Sequence, residues 1–273
     1  MDAFASDLDR TLIYSYRFLN EEIAAVPIER FEGRVISYIT ESALNMLTML
    51  SEQMHVIPVT TRTEAQFRRI AIFQEHIKPQ YAVTSNGGKI LVNGKLDESW
   101  EKQIALEMDR LTLSVSEAFA HLQQYNNEKW LKTLKIADEL FIYCVLHEDY
   151  FPAEQLEVFV NDFESSGWVV NQQGRKVYFL PKCIGKEKAL RYINEQYGIR
   201  TKYAAGDAML DRNMLHEAEY GFCPLHGEIA ARAEQLYEVT AREGMHAAED
   251  IIESIAKHAG TSPKQKPKLS AHS

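Results

Sequence analysis

Short apolar, β-rich runs alternate along the chain with longer segments that repeat at the helical period. The runs at residues 3–6, 55–59 and 81–84 predict three strands. Between them, residues 41–53 and 64–76 place apolar side chains at three- and four-residue steps, which predicts two helices. The resulting β-α-β-α-β order favours a largely parallel sheet flanked by helices.

The middle third of the chain has a different pattern. Asn93-Gly94 follows a strand predicted over residues 89–92, and this dipeptide is a strong signal for a two-residue hairpin turn. Apolar positions then recur at helical steps from Ile104 to Leu122, which predicts one long helix. The other predicted elements of this region, three strands and one helix, are residues 140–146, 168–170 and 177–180 and residues 153–163. Together these elements predict a separate α+β unit.

The α/β pattern resumes at Gly185, with a helix to residue 197, a strand over 202–205 and a last helix over 245–257. The α+β unit therefore interrupts one domain and does not simply follow it. Residues 261–273 combine two prolines with three lysines and little apolar content, which predicts a disordered tail.

Composition and charge narrow the class of protein. A chain of 273 residues predicts about two domains, or one domain with an insertion. The 39 Asp and Glu residues exceed the 30 Lys and Arg residues, and the net charge of −9 argues against broad binding to nucleic acids or anionic membranes. No apolar run approaches the roughly 18 residues of a membrane span, and the N-terminus lacks the basic and apolar segments of a secretory signal. We therefore expect a cytoplasmic protein that binds neither nucleic acid nor membrane.

Two carboxylates, Asp7 and Asp9, stand where the first strand is predicted to end. In an open α/β sheet, ligands bind beyond the carboxyl ends of the strands. One carboxylate of such a pair can act as nucleophile and metal ligand while the other delivers a proton, provided that their environments differ. An Asp-rich turn that caps a helix explains the pair alone equally well, so the other strand ends decide between the two interpretations.

Three further groups follow predicted strands or open a predicted helix. Asp207 and Asp211 follow one strand and can complete an oxygen-rich Mg²⁺ shell with Asp7. The hydroxyl of Thr60 and a backbone N–H of its turn can hold phosphate oxygens, and Lys186 can neutralise the charge that develops in phosphoryl transfer. Four groups in this order indicate phosphoryl chemistry far more strongly than any one of them.

These motifs resemble those of the haloacid dehalogenase superfamily of Mg²⁺-dependent aspartyl phosphatases. DLDRT at residues 7–11 matches the first motif, Thr60 the second, Lys186 the third and GDAMLD at residues 206–211 the fourth. The stretches SNGGKILVNGK and LPKCIGKEKAL resemble the branch with a large cap between the third core strand and the motif lysine. Within that branch the chain is similar to the sucrose-phosphate phosphatases and the Cof-type sugar phosphatases.

The resemblance implies an α/β fold with a Rossmann-like, parallel-sheet core and an inserted α+β cap. The core would comprise residues 1–92 and 181–260, and the cap residues 93–180. The implied activity is hydrolysis of a phosphomonoester of a small metabolite, a sugar phosphate, with Mg²⁺ as cofactor.

The resemblance also implies a role for each motif residue. Asp7 would attack phosphorus and form an aspartyl-phosphate, and Asp9 would protonate the leaving alcohol and then activate water. Thr60 and Lys186 would hold the phosphoryl oxygens. The implied metal ligands are the carboxylates of Asp7 and Asp207 and the backbone carbonyl of Asp9, with Asp211 supporting them directly or through water.

Substrate contacts are expected at Thr61, at Asn86 and, in the predicted cap, at Arg175 and Lys176 in the polar turn QQGRK. Two positions depart from the superfamily pattern. Arg10 and Thr61 stand where many members have Gly, but the backbone N–H is retained at both. The side chain of Arg10 is expected to narrow the mouth of the site or to touch the substrate. No catalytic group is missing, so we expect an active enzyme.

Two alternative functions remain open at this stage. A phosphomutase built on the same core would return the phosphoryl group to a second hydroxyl. A receiver-like regulatory or scaffold protein would also pair an acidic cluster with Thr and Lys, but here about 200 residues and a large insertion separate the two acidic clusters. The sequence determines neither the particular substrate nor the oligomeric state.

Overall fold

The computed structural model describes residues 1–20, 22–232 and 236–260. The strands are β1 (Asp2–Ser6), β2 (Ala25–Phe31), β3 (Arg34–Thr40), β4 (His55–Pro58), β5 (Tyr81–Thr84), β6 (Lys89–Val92), β7 (Lys95–Leu96), β8 (Leu131–Ala137), β9 (Phe141–Leu146), β10 (Trp168–Gln173), β11 (Lys176–Pro181), β12 (Arg200–Ala205), β13 (Tyr220–Cys223) and β14 (Glu238–Val239). The helices are α1 (Glu41–Ser51), α2 (Glu64–Phe67), α3 (Glu98–Met108), α4 (Val115–Gln123), α5 (Ala153–Glu164), α6 (Lys186–Tyr197), α7 (Arg212–Glu217), α8 (Glu228–Ala231) and α9 (His246–His258).

A parallel sheet of five strands, in the order β14-β13-β12-β1-β4, forms the centre of the fold. A single parallel bridge between Val59 and Val83 brings β5 alongside β4. β1 is buried on both faces, because Phe4 packs into one apolar cluster while Ala3 and Ala5 pack into another. Burial on both faces is typical of parallel strands covered by helices. The predicted parallel α/β core is confirmed, and the carboxyl ends of β1, β4 and β12 lie side by side.

The helix predicted over residues 64–76 is wrong in part. The regular helix α2 ends at Phe67, and a π-helical turn follows only at Ile72–His76. Between them, Ile70 pairs with Glu29 of β2, and the N–H of Ala71 donates to the carbonyl of Ile28. The apolar period of residues 64–76 is that of a helix, but hydrogen bonds to the neighbouring strand β2 replace those of a continuous helix.

The single long helix predicted from Ile104 to Leu122 is also wrong, because the structure has two helices, α3 and α4. Ser114 is the N-cap of α4, and Glu117 completes a reciprocal capping box with it. This Ser-x-x-Glu signal for a helix start was present in the sequence. The break has a tertiary cause as well, because the indole of Trp168 donates to the carbonyl of Leu113.

Among the elements without a predicted counterpart are three strands outside the parallel sheet, β2, β3 and β8. β2 and β3 form an antiparallel hairpin inserted between β1 and α1, and its turn uses positive φ angles at Glu32 and Gly33. Glu-Gly is a weaker turn signal than the Asn93-Gly94 pair, which does turn the chain between β6 and β7 as predicted. β8 is the third missed strand, and only its last residue, Ala137, is buried.

The middle of the chain forms an antiparallel sheet in the order β10-β11-β9-β8. Its side chains alternate between two environments, as the period of a strand requires. Ile142 and Phe179 face α4 and α5 in a cluster of their own. Tyr143 and Tyr178 face the opposite way and join the cluster of the parallel core. The sheet therefore fits an inserted cap that lies against the core, while the domain boundaries given above stay predictions.

The tail predicted to be disordered, residues 261–273, lies outside the described residues. Throughout the described ranges, no helix combines the length and the apolar character that a membrane crossing needs.

A close backbone approach between Gly87 and Gly185 joins the loop after β5 to the start of α6. Gly87 has φ +96, and a Cβ on it would lie 2.1 Å from the carbonyl oxygen of Gly185. The next residue after Gly185 is Lys186, so the position of this lysine depends on a contact that only glycine permits.

We expect Gly87→Ala to lower the free energy of unfolding by about 3 kcal/mol or more, because it adds a backbone clash to an unfavourable φ. Gly94→Ala is the matched control, since Gly94 also has a positive φ but has nothing within 4 Å of the added Cβ; its cost should be about 1 kcal/mol. Chemical denaturation of both variants measures the difference. Equal costs would contradict the role given to the Gly87–Gly185 contact.

Candidate active site

Three buried carboxylates meet at the carboxyl ends of β1 and β12. Asp7 directly follows β1, and Asp207 and Asp211 follow β12. One oxygen from each lies within 4.8 Å of the others. Gly206 makes room for this arrangement, because a Cβ on it would lie 2.3 Å from the Cβ of Asp211. The structure thus brings together three of the four acidic residues singled out from the sequence.

Lys186, the first residue of α6, connects two of these carboxylates. Its Nζ donates to Oδ1 of Asp7 at 2.6 Å and to Oδ1 of Asp211 at 2.5 Å. Only 1% of the lysine side chain is exposed. Burial disfavours its charge, but the two carboxylates outweigh burial and raise the pKa of Lys186 above its ordinary value. The lysine is therefore a fixed positive charge inside the acidic cluster.

The cluster holds more negative charge than its cations offset. Burial raises the pKa of Asp7 to about 7; Lys186 opposes this rise, and the charges of Asp211 and Asp9 add to it. Burial, followed by the charges of Asp7 and Asp211, raises the pKa of Asp207 well above its ordinary value. Ionised carboxylates at this point therefore require a further positive charge nearby.

The donor set fits a hard divalent cation such as Mg²⁺. Mg²⁺ prefers oxygen ligands and is commonly held by one or two carboxylates together with water and substrate phosphate. Asp7 and Asp207 are suited to direct contact. Both oxygens of Asp211 already accept hydrogen bonds, one from Lys186 and one from the N–H of Ala208 at 3.0 Å. Asp7 and Asp207 are also contacted at both oxygens, but one contact of each is long, 3.3 Å from the Thr11 hydroxyl to Asp7 and 3.5 Å from Gln173 to Asp207. Asp211 is therefore better suited to hold Lys186 and the turn than to bind the metal directly.

Asp9 lies apart from the buried carboxylates, and its side chain is 51% exposed. Both of its oxygens accept from Arg62, from Nε at 2.7 Å and from Nη2 at 2.8 Å. Burial at the mouth acts to raise the pKa of Asp9, but the charge and hydrogen bonds of Arg62 bring this pKa below its ordinary value. Asp7 and Asp9 thus have the different environments that two distinct roles require.

Arg62 is held in turn by Glu29, a buried carboxylate that sequence reasoning missed. Glu29 accepts from Arg62 Nη1 at 2.6 Å, from Ser37 Oγ at 2.7 Å and from Arg69 Nε at 3.2 Å. The register of the β2–β3 pair shifts on either side of Glu29, as in a β-bulge. No signal in the sequence could have found this residue, because its inward orientation depends on that irregularity.

The turn after β4 meets the turn after β5 through backbone hydrogen bonds. The N–H of Asn86 donates to the carbonyl of Thr60 at 3.0 Å, and the N–H of Thr60 is committed to the carbonyl of Val83. A free N–H for phosphate in this turn must therefore come from Thr61. The side-chain Oδ1 of Asn86 is buried and finds no hydrogen-bond donor within the described part of the chain.

Arg10 reaches the acidic cluster from the exposed side. Its Nε lies 3.1 Å from Oδ2 of Asp207. Its backbone φ of 68° lies in the left-handed region where glycine is favoured. The side chain of Arg10 therefore forms an ion pair with Asp207, while narrowing of the mouth and contact with the substrate stay predictions.

The cap-like sheet contributes polar groups to the same space. Nε2 of Gln173 lies 3.5 Å from Oδ1 of Asp207. Nζ of Lys176 lies 5.7 Å from the ring centre of Tyr143 and 5.9 Å from that of Tyr178. The charge of Tyr178 raises the pKa of Lys176, and burial acts to lower it. Asp9 adds to the rise, so this pKa lies above its ordinary value. Arg175, the residue singled out from the sequence, is exposed beside them, and its role as a substrate contact stays a prediction.

The chain is similar to known proteins along almost its whole length. A family model described as sucrose-6F-phosphate phosphohydrolase matches residues 2–259. No sequence among curated proteins gives a significant match.

Several solved structures share the fold. A sucrose-phosphatase from Synechocystis sp. PCC6803, solved with sucrose and phosphate, superimposes with a TM-score of 0.66 and 14% identity, over 94% of this chain and 96% of that one. BT4131, a sugar phosphatase of haloacid dehalogenase subclass IIB, gives 0.60 and 16% identity over 95% and 99%. The phosphatase BT1666 from Bacteroides thetaiotaomicron gives 0.57 and 14% identity over 95% of each chain. At such identities the likeness shows the fold.

We expect Glu29→Ala to lower the free energy of unfolding by about 3 kcal/mol, because it leaves the largely buried guanidinium of Arg62 without its buried partner. Ser37→Ala is the matched control, since it removes one hydrogen bond to the same carboxylate and should cost about 1 kcal/mol. Denaturant titration measures both variants. A Glu29→Ala protein as stable as Ser37→Ala would show that Glu29 does not anchor Arg62.

Proposed function

Because this chain belongs to the sucrose-6F-phosphate phosphohydrolase family, a phosphatase family of the haloacid dehalogenase superfamily, we propose that it hydrolyses a phosphorylated sugar through an aspartyl-phosphate on Asp7. The observation that carries the proposal is the contact of Lys186 with Asp7 and Asp211 inside a buried acidic cluster. A structural ion pair needs one carboxylate. Here two carboxylates are paired with the lysine, and a third, Asp207, has an oxygen within 4.8 Å of theirs.

Asp7 is the nucleophile in this proposal. Oδ1 accepts from Lys186, and Oδ2 accepts a longer hydrogen bond of 3.3 Å from the hydroxyl of Thr11. These contacts fix the orientation of the carboxylate before substrate arrives, which reduces the entropy lost on reaching the reactive geometry. Attack on phosphorus by Asp7 splits hydrolysis into two steps, formation and hydrolysis of the acyl phosphate.

Asp9 is the acid and base of the proposal. To donate a proton to the leaving alcohol it must leave Arg62, because the guanidinium occupies both of its oxygens. The same contact keeps Asp9 ionised, and this is the form that accepts a proton from the attacking water in the second step. The contact with Arg62 therefore favours hydrolysis of the acyl phosphate, the second step. In the first step, formation of the acyl phosphate, Asp9 separates from Arg62.

Mg²⁺ would be held by the carboxylates of Asp7 and Asp207 and the backbone carbonyl of Asp9, with Asp211 in support. When bound, the cation supplies positive charge that offsets the carboxylates and the substrate dianion. Lys186 contributes its fixed charge to the same balance.

The phosphoryl oxygens would be held by Lys186, by the hydroxyl of Thr60 and by the N–H of Thr61. The Thr60 hydroxyl oxygen accepts from the N–H of Arg62 at 3.1 Å, which leaves its proton available for a phosphate oxygen. Such donors stabilise the charge that develops on phosphorus oxygens in the transition state.

The sugar would occupy the space between this cradle and the cap-like sheet. The unpaired Oδ1 of Asn86 can accept from a sugar hydroxyl, which would satisfy a buried acceptor. Lys176, Gln173 and Arg175 can donate to sugar oxygens from the opposite side. Sucrose-phosphatase among the similar structures holds sucrose and phosphate, which supports a sugar phosphate as the substrate class.

We expect the protein to release phosphate from at least one sugar phosphate when Mg²⁺ is present, and Asp7→Asn to abolish this release because it removes the nucleophile. Asp2→Asn is the matched control: it makes the same change at the opposite end of β1 and should keep full activity. Phosphate release across a panel of sugar phosphates, with and without EDTA, measures the outcome. Transfer of phosphate to a second sugar hydroxyl would indicate a mutase, and an Asp7→Asn protein with full turnover would refute the mechanism.

The acid role of Asp9 predicts a dependence on the leaving group. Asp9→Asn should lower kcat/KM for an alkyl or sugar phosphate by about 10²- to 10⁴-fold. It should lower kcat/KM for p-nitrophenyl phosphate much less, because nitrophenolate leaves without protonation. Steady-state kinetics on both substrates gives the comparison, and equal losses on both would contradict the role of Asp9 as acid.

A further inference from the structure

The loop that carries Arg10 is held by hydrogen bonds on both of its sides. The N–H of Arg10 donates to the carbonyl of Ile13 at 2.8 Å, which closes the tight loop after β1. Nε2 of His226 donates to the carbonyl of Arg10 at 2.9 Å, and Nη2 of Arg10 donates back to the carbonyl of His226 at 3.1 Å. The other ring nitrogen of His226 accepts from the N–H of Gly244 at 3.0 Å. This reciprocal pair joins the loops after β1 and β13 beside Asp207.

The two cations of the acidic cluster differ in how freely they can leave it. Lys186 is 1% exposed and contacts two carboxylates, so its removal would leave buried charges unpaired. Arg10 is 48% exposed, whereas its partner Asp207 is 4% exposed. The guanidinium therefore reaches from solvent onto a buried carboxylate. When its contacts with Asp207 and the His226 carbonyl break, it becomes fully hydrated, so its release has no desolvation cost for the arginine. Arg10 is the releasable cation and Lys186 the fixed one.

We propose that Arg10 is an internal counter-ion of Asp207 that Mg²⁺ displaces, so that this arginine sets the metal affinity of the site. The inference rests on the proposed function, because it takes Asp207 as a metal ligand. A guanidinium 3.1 Å from Oδ2 of Asp207 competes with a dication for the same carboxylate. A glycine at this position would leave Asp207 without that competitor. The chain therefore binds Mg²⁺ more weakly than its acidic cluster alone would dictate.

Isothermal titration of the purified full chain with MgCl₂ tests the inference without reference to turnover. Arg10→Gln keeps a long polar side chain but removes the charge, and we expect it to bind Mg²⁺ about fivefold more tightly than the wild type. Arg10→Lys keeps the charge and should stay close to the wild type. Arg200→Gln removes an exposed arginine that is paired with Glu219. Arg200 lies at the amino end of β12, opposite the acidic cluster, so this variant should leave the affinity unchanged.

The possible results separate this inference from the proposed function. Arg10→Gln binding Mg²⁺ no more tightly than the wild type would overturn the inference alone, and so would equal tightening in Arg200→Gln. Absence of Mg²⁺ binding by both the wild type and Arg10→Gln would overturn the metal site of the proposed function and the inference with it. Asp207→Asn checks the location, since it should weaken binding in both the wild-type and the Arg10→Gln background.

Thermal unfolding supplies a second measurement that does not need equal stability of the variants. A ligand that binds only the native state stabilises it by RT ln(1 + [L]/Kd), so at one ligand concentration tighter binding raises the unfolding midpoint further. The rise on adding saturating Mg²⁺, taken relative to the same protein in EDTA, should be larger for Arg10→Gln than for the wild type. An equal or smaller rise would contradict the displacement of Arg10 by the metal.

Discussion

The ammonium of Lys186, buried between Asp7 and Asp211, is the interaction on which the rest of the site depends. A lysine is seldom fully buried in its charged form without paired carboxylates, and here these come from the ends of two neighbouring parallel strands. One side chain therefore fixes the loops after β1 and β12 relative to the start of α6. The backbone contact between Gly87 and Gly185 extends the constraint to the loop after β5. The parallel core and the chemistry of the site are thus parts of one arrangement.

Charge balance explains how carboxylates of one sequence motif acquire different properties. Asp7 is buried among other carboxylates, and its pKa is raised to about 7. Asp9, two residues later, turns outward to Arg62, and its pKa is lowered. The difference follows from the end of β1, where the chain leaves the sheet and successive side chains no longer share one environment. One loop can therefore supply both a nucleophile and a proton carrier from positions two residues apart.

The sequence was most informative where local pattern and chemistry coincide. Asp7, Asp207, Asp211 and Lys186 could be placed together because each follows a predicted parallel strand or opens a helix, and such ends meet at one edge. Glu29 could not be found, since its burial depends on irregular register in a hairpin. The break between α3 and α4 carried a capping signal at Ser114 that the continuous apolar period obscured. The ion pair between Arg10 and Asp207 depends on two loops far apart in sequence, so spacing alone gives no sign of it.

The central claim is that Asp7 carries the phosphoryl group during turnover. Its most direct test is mass spectrometry of Asp9→Asn protein that is quenched in acid after brief exposure to p-nitrophenyl phosphate and Mg²⁺. Nitrophenolate leaves without protonation, so the intermediate still forms, while the substitution slows its hydrolysis. We expect one hydroxylamine-sensitive phosphoryl group on the peptide that contains Asp7. Phosphorylation at another residue, or turnover with no acyl phosphate at Asp7, would contradict it.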